Sequence, residues 1–380
     1  MNQGTRLNTL STDKSQTLLL SDLRLNPYEV ETILDVKIKQ QINEHATLYC
    51  RALLTESTGF KYIGQNAEGT NISLTTANQS DQEPILFQGL VKEIEVNSIE
   101  GSYYLEVQAV SYSSLLDVKE KSRSFQDKTM TYTQLAEAIV ADYTGADIRD
   151  VISNGKPINQ FLVQYLETDW ELLKRLASNF NTGIVCNPRF DSPKIYFGVP
   201  QNQSTVLDCF NYSVKKDFQK FKQLSENGVN QLSEHDFIYF HVETPSVLNI
   251  GDLVQFQDKQ LRVSAFTRLN RQEMFLNQYT LLPTKGLSQL ECFHHQIVGC
   301  SFNGRVIDIK NDRVKVHLDI DETQNVQTAS YLPYSTIYSS PDGSGWYCMP
   351  KLGDQVRVYF PDDNDDHAYA ISSVHDPITN

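Results

Sequence analysis

Gly345-Trp346-Tyr347-Cys348-Met349-Pro350-Lys351-Leu352-Gly353-Asp354-Gln355-Val356-Arg357-Val358-Tyr359-Phe360 is the stretch that decides the reading of this chain. Pro350 and Gly353 punctuate a loop, and Asp354 opens a run in which Val356 and Val358 alternate with polar neighbours, as a half-buried strand requires. Trp346, Pro350, Gly353, Asp354, Val356 and Val358 are expected to form the strand entry and core of a small barrel. The surrounding text agrees. Asn303–Ile309 reads as a strand, Asn311-Asp312 as a turn, and Val314, Val316 and Leu318 alternate with Lys315 and His317 in the return. Ala368–Val374 is a further strand. Short antiparallel strands in about 80 residues point to a five-stranded barrel of the OB class over 295–380.

Upstream of a linker near Leu287–His295, residues 205–285 are again strand-like. Ile250–Phe256 and Leu261–Phe266 read as partners around Asp258-Lys259-Gln260. Before them the pattern is helical. Thr131–Gln134 and Thr168–Glu171 are capping boxes. Behind the first, Leu135, Ala138, Ile139 and Asp142 follow at helical spacing, with Gly145 as the stop. Behind the second, Trp170, Leu173, Leu176, Ala177 and Phe180 recur at intervals of three and four until Asn181-Thr182-Gly183. Trp170, Leu173 and Leu176 are expected to pin this helix. Earlier still, 85–112 reads as a hairpin about a turn at Asn97–Ser102, and Asp35–Ile42 alternates polar and apolar. The polar first residues read as an arm.

The organisation expected is mainly β with α+β insertions: an arm over 1–29, a first tube-like β barrel over 30–120, a helical α+β insertion over 121–204, a second tube-like β barrel over 205–290, and the C-terminal OB-fold barrel. The two β regions have similar size and similar openings, Gly89-Leu90-Val91 and Asp252-Leu253-Val254.

Totals bound the function. The 380 residues carry a net charge of −14, which opposes a phosphate-binding surface. No stretch has the ~20 apolar residues of a membrane span. No signal peptide is legible either, so synthesis in the cytoplasm is expected. The six cysteines lack Cys-x-x-Cys spacing, so a zinc ribbon is not expected.

The C-terminal block resembles the OB domain at the base of the spike in VgrG-type proteins and contractile phage baseplate hubs. The residues that carry the likeness are Asp312–Asp319 and Gly345–Phe360, with Lys351 where the family usually has Arg. Asp362–His367 replaces the usual Gly-Asp-Pro turn, and Val374-His375 stands near the usual ending. Glu167–Ala177 is similar to the helix of the family's hub region. The resemblance covers about residues 30–375. It implies a homotrimeric ring in which each chain supplies two tube-like barrels, so that three chains present six similar units to a sixfold tail tube and carry a threefold spike. It also implies partners: a tail-tube protein, a spike or needle-tip protein, and baseplate or sheath-associated proteins. The target membrane would be met only by piercing, and the assembled protein would sit in a phage tail or injection particle. A β-helical needle follows the OB domain in the family. No repeated strand text follows here, which leaves the needle to a further segment or a separate protein.

Asp362, Asn364 and Asp366 are spaced like the start of a calcium loop, but His367 and Ser373 stand where that loop needs Gly and Glu. A solvated hairpin tip is the plainer reading. His294-His295 between Cys292 and Cys300 has no established metal-site spacing. Glu167, Asp169 and Glu171 could be paired carboxylates for a cell-wall hydrolase, whereas Asp169 and Glu171 also read as first-turn charges facing a helix dipole. Lys215–Lys222 interleaves Phe with Lys, as a nucleic-acid surface does or as a strand with one solvated and one Phe-bearing face does. For an oligonucleotide-binding OB fold, residues 295–380 hold twelve acidic residues against six basic ones. No Gly-x-Ser-x-Gly elbow, phosphate loop or dinucleotide fingerprint is present. The expectation is a structural protein with no catalytic residues, cofactor or metal, the hydrolase and the oligonucleotide binder being the alternatives.

Overall fold

The computed structural model describes residues 18–55, 61–62, 69–76, 84–202, 204–207, 209, 211–271, 274–335 and 348–374. It is mainly β, and the described chain divides into two compact units.

The first unit comprises Met1–Tyr112, Val185–Asp191 and Pro200–Leu287. Its strands follow the alternation. In β2 (Thr32–Gln41), Ile33, Val36, Ile38 and Gln40 are buried while Asp35, Lys37 and Lys39 face water. The one break in that alternation is a bulge at Leu34, between Ile33 and Asp35. β1 (Leu23–Asn26) pairs with β4 (Asn71–Thr76). Leu23 and Leu25 are buried, so the sheet begins inside the stretch read as an arm. β3 (Thr47–Leu54) lies between β2 and β6 (Ser102–Ser111). β5 (Ile85–Ile99) runs on to Ile99, beyond the start of the turn read at Asn97–Ser102, because the reversal needs only Glu100 and Gly101. Both have positive φ, 51° and 81°. Two such residues match the twist of the flanking strands.

β7 to β11 belong to the insertion described below. The second β region contains β12 (Ser204–Val206), β13 (Tyr212–Lys216), β14 (Ile238–Thr244), β15 (Leu253–Phe256), β16 (Lys259–Arg271) and β17 (Met274–Leu282). β16 pairs with β2 from Ala265↔Gln41 to Leu269↔Lys37. Among the described residues the two β regions are therefore one hydrogen-bonded sheet of twelve strands. The Lys215–Lys222 stretch corrects the strand reading. β13 ends at Lys216, the Asp217 side chain accepts the Lys220 amide at 3.0 Å, and a helix (Phe218–Glu226) follows. The Asp N-cap turns Phe218 and Phe221 into helical neighbours.

The second unit comprises Ser113–Ile184, Ser192–Val199 and Ser288–Asn380. Numbering helices in chain order, α1 is Tyr132–Val140 and α2 is Asp169–Ser178, which leaves α3 for Phe218–Glu226. Both capping boxes form, through Thr131 with Gln134 and Thr168 with Glu171. Each helix stops short of the sequence reading, which ran to Asp142 and Phe180. Around them lie β7 (Glu120–Phe125), paired with β9 (Leu162–Thr168), and β8 (Asp147–Asp150), paired in parallel with β11 (Lys194–Phe197). β10 (Ile184–Cys186) is a short buried strand, of which Val185 and Cys186 belong to the first unit.

The C-terminal strands β18 (Ser301–Lys310), β19 (Arg313–Leu318), β20 (Leu332–Ser335), β21 (Gln355–Tyr359) and β22 (Tyr369–Val374) close into a barrel in the order 18-19-20-22-21. Val306, Val314, Val316, Leu318, Val356, Val358 and Phe360 fill it. Phe161 and Val163, from β9 and the residue before it, belong to the same core. Insertion and barrel thus share one apolar interior. Among the described residues, no helix is long and apolar enough to cross a membrane.

Candidate functional site

The region of densest buried chemistry is where β9 and α2 meet the turn between β21 and β22. Thr168 caps α2, and its amide donates to Glu171 Oε2 at 3.1 Å. This commits Glu171 to the helix end. Asp169, with no exposed surface, accepts from Lys121 (2.6 Å), Arg123 (2.8 Å), Tyr143 (2.7 Å) and Gln164 (2.9 Å). Glu167 accepts from Nε and one terminal nitrogen of Arg175, at 3.0 and 2.8 Å. The three carboxylates raised as a hydrolase set are therefore each engaged by a different partner set.

Arg175 extends this pairing. It also donates to the Val163 carbonyl (2.8 Å) and approaches Asp365 Oδ2 at 3.5 Å. Burial opposes its charge, but the Glu167 carboxylate and then Asp365 outweigh that, and its pKa is raised. Asp365 is 4% exposed and accepts the Val163 amide at 2.8 Å. Burial raises its carboxyl above the ordinary range, against the pull of Arg175 and the Val163 amide. Asp366, next in the chain, accepts the Phe161 amide (3.1 Å) and Lys128 (2.5 Å). On the far side, Asp321 accepts both the amide and the hydroxyl of Ser124, at 2.6 and 2.5 Å. Gln126 donates to the Val316 carbonyl at 3.0 Å. The insertion is thus bonded to the barrel along β7 and along β9. An arrangement of this kind holds two elements in one fixed geometry.

The Asp362–Asp366 turn is not simply a solvated tip. Asp365 is its buried anchor, which corrects that reading. Asp362 pairs with His367 (2.8 Å). His294 is buried, with Nε2 at 2.9 Å from the Tyr165 carbonyl, while His295 is exposed and pairs with Asp363 at 3.0 Å. Among the described residues no group of three His, Cys, Asp or Glu is placed to hold a metal ion. In the first unit, two open hollows lie on the polar sheet face. One is lined by Lys37, Lys39, Lys92 and Glu93, the other by His241 and Glu243.

Trp170, Leu173 and Leu176 lie on the buried face of α2, at 2%, 0% and 0% exposure. Val356 and Val358 are in the barrel interior and Pro350 is buried. Gly353 is exposed with φ +88°. Asp354 accepts the Lys351 amide at 2.7 Å, closing that turn. Trp346 lies outside the described residues. Sequence reasoning missed Arg175, Asp365, Asp321 and Gln126. Arg175 carried little signal, since it lies off the stripe of Trp170, Leu173, Leu176 and Ala177, one turn from Leu172, and it needs a buried partner only because α2 is buried on more than one side. Nothing distinguishes Asp365 within its acidic run.

Two family models match the chain. Residues 61–191 match the phage tail baseplate hub (GPD) model, and residues 302–375 match the type VI secretion system/phage-baseplate injector OB domain model. The fold is similar to that of the E. coli c3393 protein, a component of the type VI secretion system described as similar in structure to the T4 bacteriophage tail proteins gp27 and gp5. That likeness has a TM-score of 0.65 at 14% identity and covers 93% of this chain and 99% of the other. The 43 kDa tail protein of prophage MuSo2 from Shewanella oneidensis has a TM-score of 0.54 at 12% identity, over 71% of this chain and 98% of the other. A chain of the Francisella PdpA–VgrG complex gives 0.55 at 8% identity, over 90% and 74%. No curated protein matches in sequence. At these identities the solved structures speak to the fold, and the two family matches speak to the role. The chain is a hub-and-spike-type structural component of phage-baseplate or type VI secretion machinery.

Proposed function

We propose that this chain is a mechanical adapter: three copies form a ring that joins a sixfold tail tube to a threefold spike, without enzymatic activity. The tube-facing part is assigned to 30–120 and 205–290 and the spike base to 295–380. Pro350, Gly353, Asp354, Val356 and Val358 shape the spike-base barrel, and Trp170, Leu173 and Leu176 anchor α2. The observation that carries this reading is the single sheet in which two β regions are joined through β2 and β16. Three such sheets supply six β regions to a threefold ring, matching in number the six subunits around a sixfold tube. The partners are a tail-tube protein, a spike-tip protein and neighbouring baseplate proteins, within a phage tail or injection particle.

Light scattering on the purified chain tests the trimer. The expected mass is three times 43.3 kDa, and a 43.3 kDa species at every concentration would contradict it. The hydrolase alternative is opposed by the engagement of Glu167, Asp169 and Glu171. Clearing of a cell-wall suspension that Glu167→Gln abolishes would reinstate it.

A further inference from the structure

His294 sits where the chain enters the C-terminal barrel, and no role above uses it. Its Nε2 faces the Tyr165 carbonyl at 2.9 Å. A carbonyl only accepts, so Nε2 carries the proton and Nδ1 is the bare nitrogen of the neutral ring. Nδ1 is enclosed and has no partner among the described residues, and the same holds for Oδ1 of Asp365. The two are therefore not bonded to each other. The charged groups in whose field the ring lies are Arg175 on α2, Glu167 on β9 and Asp365 in the β21–β22 turn. Its neighbour His295 is directed to Asp363 instead.

We propose that His294 makes the joint between β9–α2 and the C-terminal barrel an acid-sensitive latch, closed while the ring is neutral and opened when a proton is added at Nδ1. A second N–H at Nδ1 finds no acceptor and places a positive ring in a buried site shared with Arg175. Burial, and then Arg175, hold the His294 pKa below its ordinary 6.5. A depressed histidine gives stability that is full above the unfolded value and is lost as pH falls below it. The opposing group is Asp365. Its raised pKa makes ionisation costly, so acid relieves that cost between its folded value and 3.8. The latch goes beyond the adapter reading and does not depend on oligomeric state.

The test is amide hydrogen exchange of the full chain at pH 7.5 and 5.5, corrected for intrinsic rates. It is read on residues 161–168, where the Phe161 and Val163 amides bond Asp366 and Asp365. If only the open state takes up the proton, opening rises about tenfold between these two pH values. His294→Gln is expected to abolish that rise, and Asp365→Asn to keep it. An equal rise in the His294→Gln chain would overturn the proposal. Should that variant fail to fold, NMR titration of His294 in the wild-type chain decides. A midpoint below 6.5 is expected, and one at or above it would overturn the latch.

Discussion

The ring of Phe161 stacks on that of Phe360, with centroids 6.0 Å apart and planes inclined at 23°. Phe161 precedes β9 of the insertion and Phe360 follows β21 of the barrel, so an upstream segment completes the interior of the C-terminal barrel. Phe302 meets Phe360 at 5.4 Å and Tyr165 meets Phe302 at 4.8 Å, which extends the contact along β9.

Phe161→Ala is expected to destabilise the second unit by about 3–5 kcal/mol, the cost of a buried Phe-sized cavity. Urea unfolding followed by intrinsic fluorescence would show it. A loss under ~1 kcal/mol would mean that the barrel core closes without this ring.

Arg175→Met leaves Glu167 and Asp365 buried beside an apolar chain. The expected loss is about 3–5 kcal/mol. Adding Glu167→Gln removes one of the stranded charges, so the double variant should be less destabilised than the sum of the two single ones. A double-mutant cycle measures this coupling, and strict additivity would show that the pair is not a unit.

Two glycines separate conformational from steric cost. At Gly353, φ is +88° and a Cβ would meet nothing within 4 Å. Gly353→Val should therefore lose about 1–2 kcal/mol from backbone strain alone, with Gly353→Asn losing less. At Gly304 a Cβ would lie 2.5 Å from Val316 Cγ1 and 2.6 Å from the His317 carbonyl oxygen. Gly304→Ala should cost more than Gly353→Val, because strands β18 and β19 must separate. Melting temperatures in the reverse order would refute the assignment.

Asp150 tests acid sensitivity away from the joint. Burial pushes its carboxyl up, but the hydroxyls of Ser153 and Thr133 and the amides of Ser153 and Ile152 bring it below the ordinary 3.8. A lowered carboxyl contributes stability above the unfolded value and loses it as pH falls through the folded one. Asp150→Asn should flatten the fall in stability below about pH 4. Urea midpoints across that range would detect it.

The strands were legible wherever one face meets water. Val356 and Val358, or Val36 and Ile38, announce themselves by alternation, and the two capping boxes announce their helices. The joint was not legible, because its partners are far apart in the chain and look ordinary. Asp365 is one acid among four in Asp362–Asp366, and only the packing of β9 against the barrel selects it. α3 was misread because a basic run with two Phe residues fits a strand as well as a helix, and the deciding signal was the single cap Asp217. Pairing of β2 with β16 leaves no local trace at all, since each strand's pattern is satisfied by any neighbour of the right face.

That pairing has a consequence for how the polypeptide is made. β2 emerges from the ribosome long before β16, so one edge of the nascent N-terminal sheet must wait through the synthesis of the whole helical insertion. During that delay the row of unbonded amides invites other chains. Lys37 and Lys39, spaced along this edge, repel such visitors until Ala265–Leu269 arrives to seal it.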